Sequence, residues 1–206
     1  MAVELKQVES ALAHDLNNLL QVIMGNLELL KRRGELVPEV VEAALAATRS
    51  AAAMADRLGA IGRLRRLEPR SLDVNRLLAE LLPLIERTVG DAIRVELKLA
   101  SNLGESVADP QSLQLALVEL ATNARNAMPA GGRLSIVTQE AGNGFIRIAV
   151  SDTGCGMPPR SPEATGLGLQ IVEQVAALAG GRVEFDSTDL GTTVKLYVPA
   201  GKPVGK

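Results

Sequence analysis

"GGRLSIVTQEAGNGFIRIAVSDTGCG", residues 131–156, decides the architecture. Two segments in it, at about 133–139 and 144–151, read as strands, and like most strand candidates in this chain they alternate rather than run continuously apolar. Such strands bury one face. This favours a mixed sheet covered on one side by helices, an α/β sandwich, over a doubly wound sheet buried on both faces. The second strand delivers Asp152 to its end, with Gly154 and Gly156 immediately after. A carboxylate there can accept a hydrogen bond from an adenine amino group while glycines let a ligand approach the backbone; a plain turn would use the same residues.

The neighbouring segments supply the helices and further strands. Residues 73–89 read as a helix, and Val95, Leu97 and Leu99 alternate with Arg94, Glu96 and Lys98 as in a half-buried strand. Asp109-Pro110 is an N-cap followed by proline at the first helical position, opening a helix to about Met128 that stops before Pro129 and Gly131-Gly132. A helix at about 166–179 ends at Gly180-Gly181, strands follow near 182–186 and 192–199, and residues 201–206 form a flexible tail.

Two of these helices carry possible chemistry. Along 110–128 the core stripe is Leu113, Leu117, Leu120, Ala124 and Ala127, and a separate line runs through Glu119, Asn123 and Asn126. Carboxylate and amide oxygens in line suit Mg²⁺ with nucleotide phosphates, because that hard cation takes oxygen ligands; a solvated helix face would look the same. "TGLGLQIV", residues 165–172, puts Gly166 and Gly168 at a helix opening, where free N–H groups and the helix dipole favour phosphate. The three elements in this order are stronger than any one alone.

The first 67 residues have another character. Leu5, Val8, Leu12, Leu16, Leu19, Ile23, Leu27 and Leu30 form one stripe of a long helix ended by Gly34. Pro38 opens a second, on which Val40, Ala44, Ala47, Ala51, Met54, Leu58 and Ile61 recur to about Leu67. A hairpin of two such helices leaves much apolar surface in water, so we expect a homodimer through residues 1–67, a four-helix bundle with alanine-rich layers. The expected division is a helical hairpin over 1–67, a linker at 68–72 containing the breaker Glu68-Pro69-Arg70-Ser71, and an α/β domain over 73–200.

His14, the sole histidine, lies opposite the stripe at ~100° per residue and faces solvent, with Asp15 beside it and Asn18 and Gln21 on the same polar face. Imidazoles titrate near pH ~6.5, so a neutral, nucleophilic form is abundant about neutrality, and an adjacent carboxylate can hold one ring nitrogen protonated. The arrangement suits phosphoryl acceptance, and an amide at Asn18 can position a water for hydrolysis. A surface histidine with two helix-tolerated asparagines is the plain alternative.

Totals narrow the field. In 206 residues, 47% apolar and 22% charged, a real core can form. A net charge of -2 and three aromatic residues (Phe145, Phe185, Tyr197) do not imply nucleic acid. One cysteine, Cys155, makes no internal disulfide, and no apolar run approaches a membrane span, so a cytoplasmic protein is expected. With one histidine and a distant cysteine, a zinc site is not expected.

Taken together, the motifs resemble those of a two-component sensor histidine kinase transmitter core. "HDLNN" is similar to the H-box, "ELATNARNAM" to the N-box, "DTGCG" to the G1 box and "GLGL" to the G2 box, over nearly the whole chain. The resemblance implies a Bergerat-type ATP-binding fold, ATP and Mg²⁺ as cofactors, and a response regulator receiver domain as partner. It implies His14 as phosphoacceptor, Asp15 as its acid/base neighbour and Asn18 as phosphatase residue. Asn123 becomes the Mg²⁺ ligand, with Asn126 beside it at the nucleotide, and Asp152 the adenine reader. Gly154, Gly156, Gly166 and Gly168 line the nucleotide site. Glu119 holds the first N-box position, where related ATPases place a general base. The family's usual long lid with its phenylalanine-rich box is replaced by "PPRSPEA", in which Arg160 is the only cation. The expected activity is ATP-dependent autophosphorylation of His14 and transfer to a regulator aspartate. The alternatives are a phosphotransferase or phosphatase whose short lid has cost it kinase activity, and a non-catalytic binding module of the same fold.

Overall fold

A computed structural model describes residues 2–33, 36–64, 68–157 and 167–201. Two units are separable, Met1–Arg65 and Arg66–Lys206. The stretch 158–166, with Arg160 and Gly166, lies outside the described residues, as do Gly34, the expected end of the second helix at 65–67, and residues 202–206.

The first unit is a helical hairpin, α1 (Ala2–Arg33) and α2 (Pro38–Leu64). Proline begins α2 without penalty because the first helical N–H has no intrahelical acceptor. Ala44, Ala47 and Ala51 are buried, and their small side chains allow close approach of the two helices. Leu16, Leu19, Ile23 and Leu30 are half-buried, but Leu27, read as part of that stripe, is exposed. Two helices cover only a narrow strip of each other, and Leu20, Val22, Met24 and Leu27 of α1 remain in water.

The second unit is the expected sandwich. Its chain order is β1 (Arg70–Leu72), α3 (Val74–Val89), β2 (Ile93–Lys98), β3 (Ser106–Ala108), α4 (Pro110–Ala127), β4 (Gly132–Glu140), β5 (Phe145–Asp152), α5 (Leu167–Leu178), β6 (Arg182–Thr188) and β7 (Gly191–Pro199). Five strands make one mixed sheet in the order β2-β4-β5-β7-β6, in which β2 and β4 are parallel and the other pairs antiparallel. Leu134, Ile136, Ile146, Ile148, Val150, Val194, Leu196 and Val198 project to one face and are buried with Leu78, Ile85, Leu113, Leu117, Ile171 and Val172 of the helices. Each such side chain contributes about 1.5–3 kcal/mol through removal from water.

On the opposite face Tyr197 is buried by a local stack. The Arg182 guanidinium lies 3.8 Å from its ring centre, and the Tyr197 hydroxyl donates to Glu184 at 2.9 Å. That hydrogen bond, helped by one from Arg182 and by the Arg182 charge, outweighs the opposing effect of desolvation and holds the Glu184 carboxyl below the usual range.

Residues 70–72, read from sequence as part of a linker, form β1 and pair antiparallel with β3, Arg70 opposite Ala108 and Leu72 opposite Ser106. The segment is thus joined to the start of α4. Asp109 completes the junction: its Oδ1 accepts from the Ser112 amide at 2.7 Å and the Ser112 hydroxyl at 2.7 Å, and its Oδ2 accepts from the Glu68 amide at 3.2 Å. Burial pushes the Asp109 pKa up, but the hydrogen bonds from Ser112, Glu68 and Gln111 outweigh it and the net shift is downward.

A folded-state value below the unfolded one gives stability that is complete at neutral pH. It is lost as pH falls below the ordinary value of 3.8 and through the depressed one. Asp109→Ala should lower stability by about 1 kcal/mol at pH 7, with the difference shrinking towards pH 3; urea titrations at the two pH values check this.

Candidate functional site

The residues expected to carry the chemistry fall in two groups, one on each unit. On α1, His14 is exposed, with 75% of its side chain accessible. Both of its contacts fall on Nδ1: Asp15 Oδ1 at 3.2 Å and Asn18 Nδ2 at 3.3 Å. The adjacent residue and the residue one turn on thus share a single ring nitrogen. With the proton on Nδ1 and donated to Asp15, the Asn18 amide nitrogen is a neighbour of that N–H and not its hydrogen-bond donor, and the lone pair resides on Nε2.

In the second unit α4 is the spine of the site. Its Asp109 cap fixes the start, and Glu119 and Asn123, four residues apart, share a face. Glu119 is a buried carboxylate at 5% exposure, Asn123 is half-buried, and Asn126 is exposed. The two inner residues meet Gly168 at the start of α5. A Cβ built on Gly168 would stand 2.8 Å from Glu119 Oε2 and 3.2 Å from both Asn123 polar atoms, so a side chain there would fill the space at this corner. The Asn123 Nδ2 is buried and has no hydrogen-bond partner among the described residues. A buried amide of this kind costs about 1–3 kcal/mol unless a ligand or water answers it.

One turn beyond Asn123, the same helix holds the glycine turn. Cys155 N donates to the Ala127 carbonyl at 3.1 Å, and a Cβ on Gly154 would approach that carbonyl to 2.6 Å. Gly156 takes φ +74, and a Cβ there would stand 2.1 Å from the Thr188 carbonyl, so glycine is required by both conformation and space. Asp152 Oδ1 accepts from the Gly154 amide at 2.9 Å and from the Thr192 amide at 3.3 Å. These two donors orient the carboxylate and leave Oδ2 for a ligand donor. Cys155 is exposed and forms no disulfide.

Glu119, Asn123 and Gly168 are therefore together at one corner, and Asp152, Gly154 and Gly156 form the turn joined to the end of the same helix. Gly166 falls outside the described residues. Sequence reading missed Thr192 and Ser187. Ser187 Oγ accepts from the Met157 amide at 2.7 Å and lies 3.1 Å from Thr192 Oγ1. The only sequence signal for them is a strand pair whose hairpin returns beside the glycine turn.

The donor set fits a magnesium nucleotide. It offers hard oxygens, an orphaned amide, a space kept open by glycine and the N–H groups of a helix start.

Comparisons with known proteins find two families in this chain. Residues 4–67 match the family described as His Kinase A (phospho-acceptor) domain, and residues 108–202 the family described as Histidine kinase-, DNA gyrase B-, and HSP90-like ATPase. The chain is 30% identical to Sensor kinase CckA of Brucella abortus (strain 2308), over 94% of this chain and 24% of that protein. It is 27% identical to Sensor histidine kinase ZraS of Klebsiella oxytoca, over 96% of this chain and 46% of that protein. The chain thus spans less than half the length of these relatives.

Among solved structures, Acinetobacter baumannii histidine kinase AdeS is similar with a TM-score of 0.71 at 18% identity, covering 92% of this chain and 98% of that one. Histidine kinase ThkA, solved in complex with response regulator protein TrrA, gives 0.71 at 18% identity, covering 93% of this chain and 60% of that one. At such identities these two likenesses speak for the fold. With a phospho-acceptor domain followed by an ATPase domain of these two families, the chain belongs to the sensor histidine kinases and is a transmitter core.

Proposed function

We propose that this chain is an ATP-dependent protein histidine kinase that phosphorylates its own His14 and passes the group to an aspartate of a response regulator receiver domain. The observation that carries the reading is the His14 ring, exposed, with both neighbours on Nδ1.

The residues take these roles. Asp152 accepts from the adenine amino group, and Gly154 and Gly156 let the base approach the backbone. Asn123 supplies oxygen to Mg²⁺, with Glu119 and Asn126 on the same helix line, and Gly168 leaves room for the phosphates at the start of α5, a role that the motif alone also gives Gly166. ATP-Mg²⁺ supplies the phosphoryl group and neutralises its charge. His14 Nε2 attacks the γ-phosphorus in line; as the N–P bond forms and the bond to the bridging oxygen of ADP breaks, the Nδ1 proton passes to Asp15. Positioning carries most of the rate in such transfers.

The division into a dimerising hairpin over 1–67, a connector and a catalytic domain over 73–200 belongs to the same reading. Exposed Leu20, Met24 and Leu27 on α1 favour pairing with a second copy as a four-helix bundle. Among the described residues no helix is long and apolar enough to cross a membrane, and dependence on ATP fits a cytoplasmic setting.

A second activity is favoured by Asn18. Its amide, 3.3 Å from His14 Nδ1, would hold a water against a regulator's phosphoaspartate and so make the same face a phosphatase.

The test is incubation with γ-labelled ATP, with and without Mg²⁺. Label that needs Mg²⁺, is lost in acid and survives base is the expected result, because a phosphoramidate hydrolyses in acid. A chain that binds nucleotide and acquires no such label in any regulator's presence is not a kinase.

A further inference from the structure

We propose that Ser187 is a positioning residue for base recognition, one that holds Asp152 and the outgoing end of the glycine turn in a single register. The inference rests on the reading of Asp152 as the adenine acceptor.

Asp152 reads a donor well only if its free oxygen points in one direction. Its Oδ1 is fixed by two amides of different origin, Gly154 from its own turn and Thr192 from β7. The second depends on where the hairpin of β6 and β7 sits. Ser187 and Thr192 are direct cross-strand partners there, and their hydroxyls are 3.1 Å apart. Ser187 Oγ also accepts from Met157 N at 2.7 Å, just past the turn. Three hydrogen bonds therefore run from Met157 through Ser187 and Thr192 to Asp152.

The turn lies directly on this hairpin, since a Cβ on Gly156 would meet the Thr188 carbonyl at 2.1 Å and Ser187 Oγ at 3.2 Å. Alanine at 187 would remove the acceptor for the Met157 amide and the link to Thr192 together. Ser187 itself is exposed, so the substitution opens no core cavity. Its consequence is confined to the aim of Asp152 and the turn.

The experiment is calorimetric binding, to the whole chain with Mg²⁺, of a non-hydrolysable ATP analogue and of the same analogue carrying purine in place of adenine. The purine compound lacks only the 6-amino donor. Ser187→Ala should weaken the adenine compound by about three- to tenfold, the scale of one lost hydrogen bond. It should also narrow the advantage of the adenine compound over the purine one. Ser187→Thr, which keeps the hydroxyl, should restore both values. In the nucleotide-free protein the Met157 amide should exchange with solvent faster in Ser187→Ala than in the wild type.

A purely structural role would weaken both compounds alike, and that result, or an unchanged preference in Ser187→Ala, overturns the proposal while leaving the nucleotide site standing. Failure of the wild type to bind either compound overturns the nucleotide reading and this proposal with it.

Discussion

His14→Ala is expected to lose all acid-labile label from γ-labelled ATP, a fall of more than about 10³-fold, the scale on which removal of a nucleophile is felt. The side chain is exposed and its two contacts are with Asp15 and Asn18 on its own helix. Alanine is the best helix former, so α1 should be no less stable in the variant, and lost labelling cannot be assigned to unfolding. Nucleotide binding should be unchanged, because the residues proposed for it lie on α4, α5 and the glycine turn.

Asn18→Ala should separate the two activities proposed for that face. It should still accept label, yet should dephosphorylate a regulator more slowly by about 10-fold or more, the size of a lost water-positioning group. Acid-labile label that persists in His14→Ala would mean another acceptor and would remove the central residue from the proposed mechanism.

The parts of this molecule that sequence made visible are those encoded locally. Alternation marked the strands. Asp109-Pro110 marked the start of α4, where Asp109 does accept from the Ser112 amide. Four-residue spacing placed Glu119 and Asn123 on one face, and both meet Gly168. What stayed hidden depends on pairing across the chain. β1 and β3 have three residues each, too few for a period, and they meet over a separation of more than thirty positions. The breaker at Pro69 therefore read as a tether when the next residues are a strand.

Burial shows the same limit. Leu27 fits the α1 stripe by spacing yet is exposed within the described hairpin, because a helical period says which side is apolar and not what covers it. Tyr197 is buried on the face away from the helices because Arg182 lies over it, a contact between neighbouring strands. The Thr192 amide on Asp152 is a backbone contact forty residues away in sequence, and no side-chain pattern announces a backbone donor.

That contact determines how Asp152→Asn should behave. The native Oδ1 accepts from two N–H groups, and the carboxylate has a second oxygen for the base. Asparagine has only one. If its oxygen faces Gly154 and Thr192, its NH₂ opposes the adenine amino group; if it flips, its NH₂ opposes the two amides. Either orientation sets donor against donor on one side, and that side loses a hydrogen bond to a charged acceptor worth about 1.5–3 kcal/mol. Affinity for the adenine nucleotide should fall by about 10²-fold. The purine analogue, with no amino group to repel, should bind the variant almost as well as it binds the wild type. Since the role proposed for Asp152 is at the base and not at the transferred group, labelling of His14 should return at saturating ATP: the loss lies in KM, with kcat nearly unchanged. A fall in kcat with KM preserved would place Asp152 in the chemistry of transfer rather than in recognition of the base.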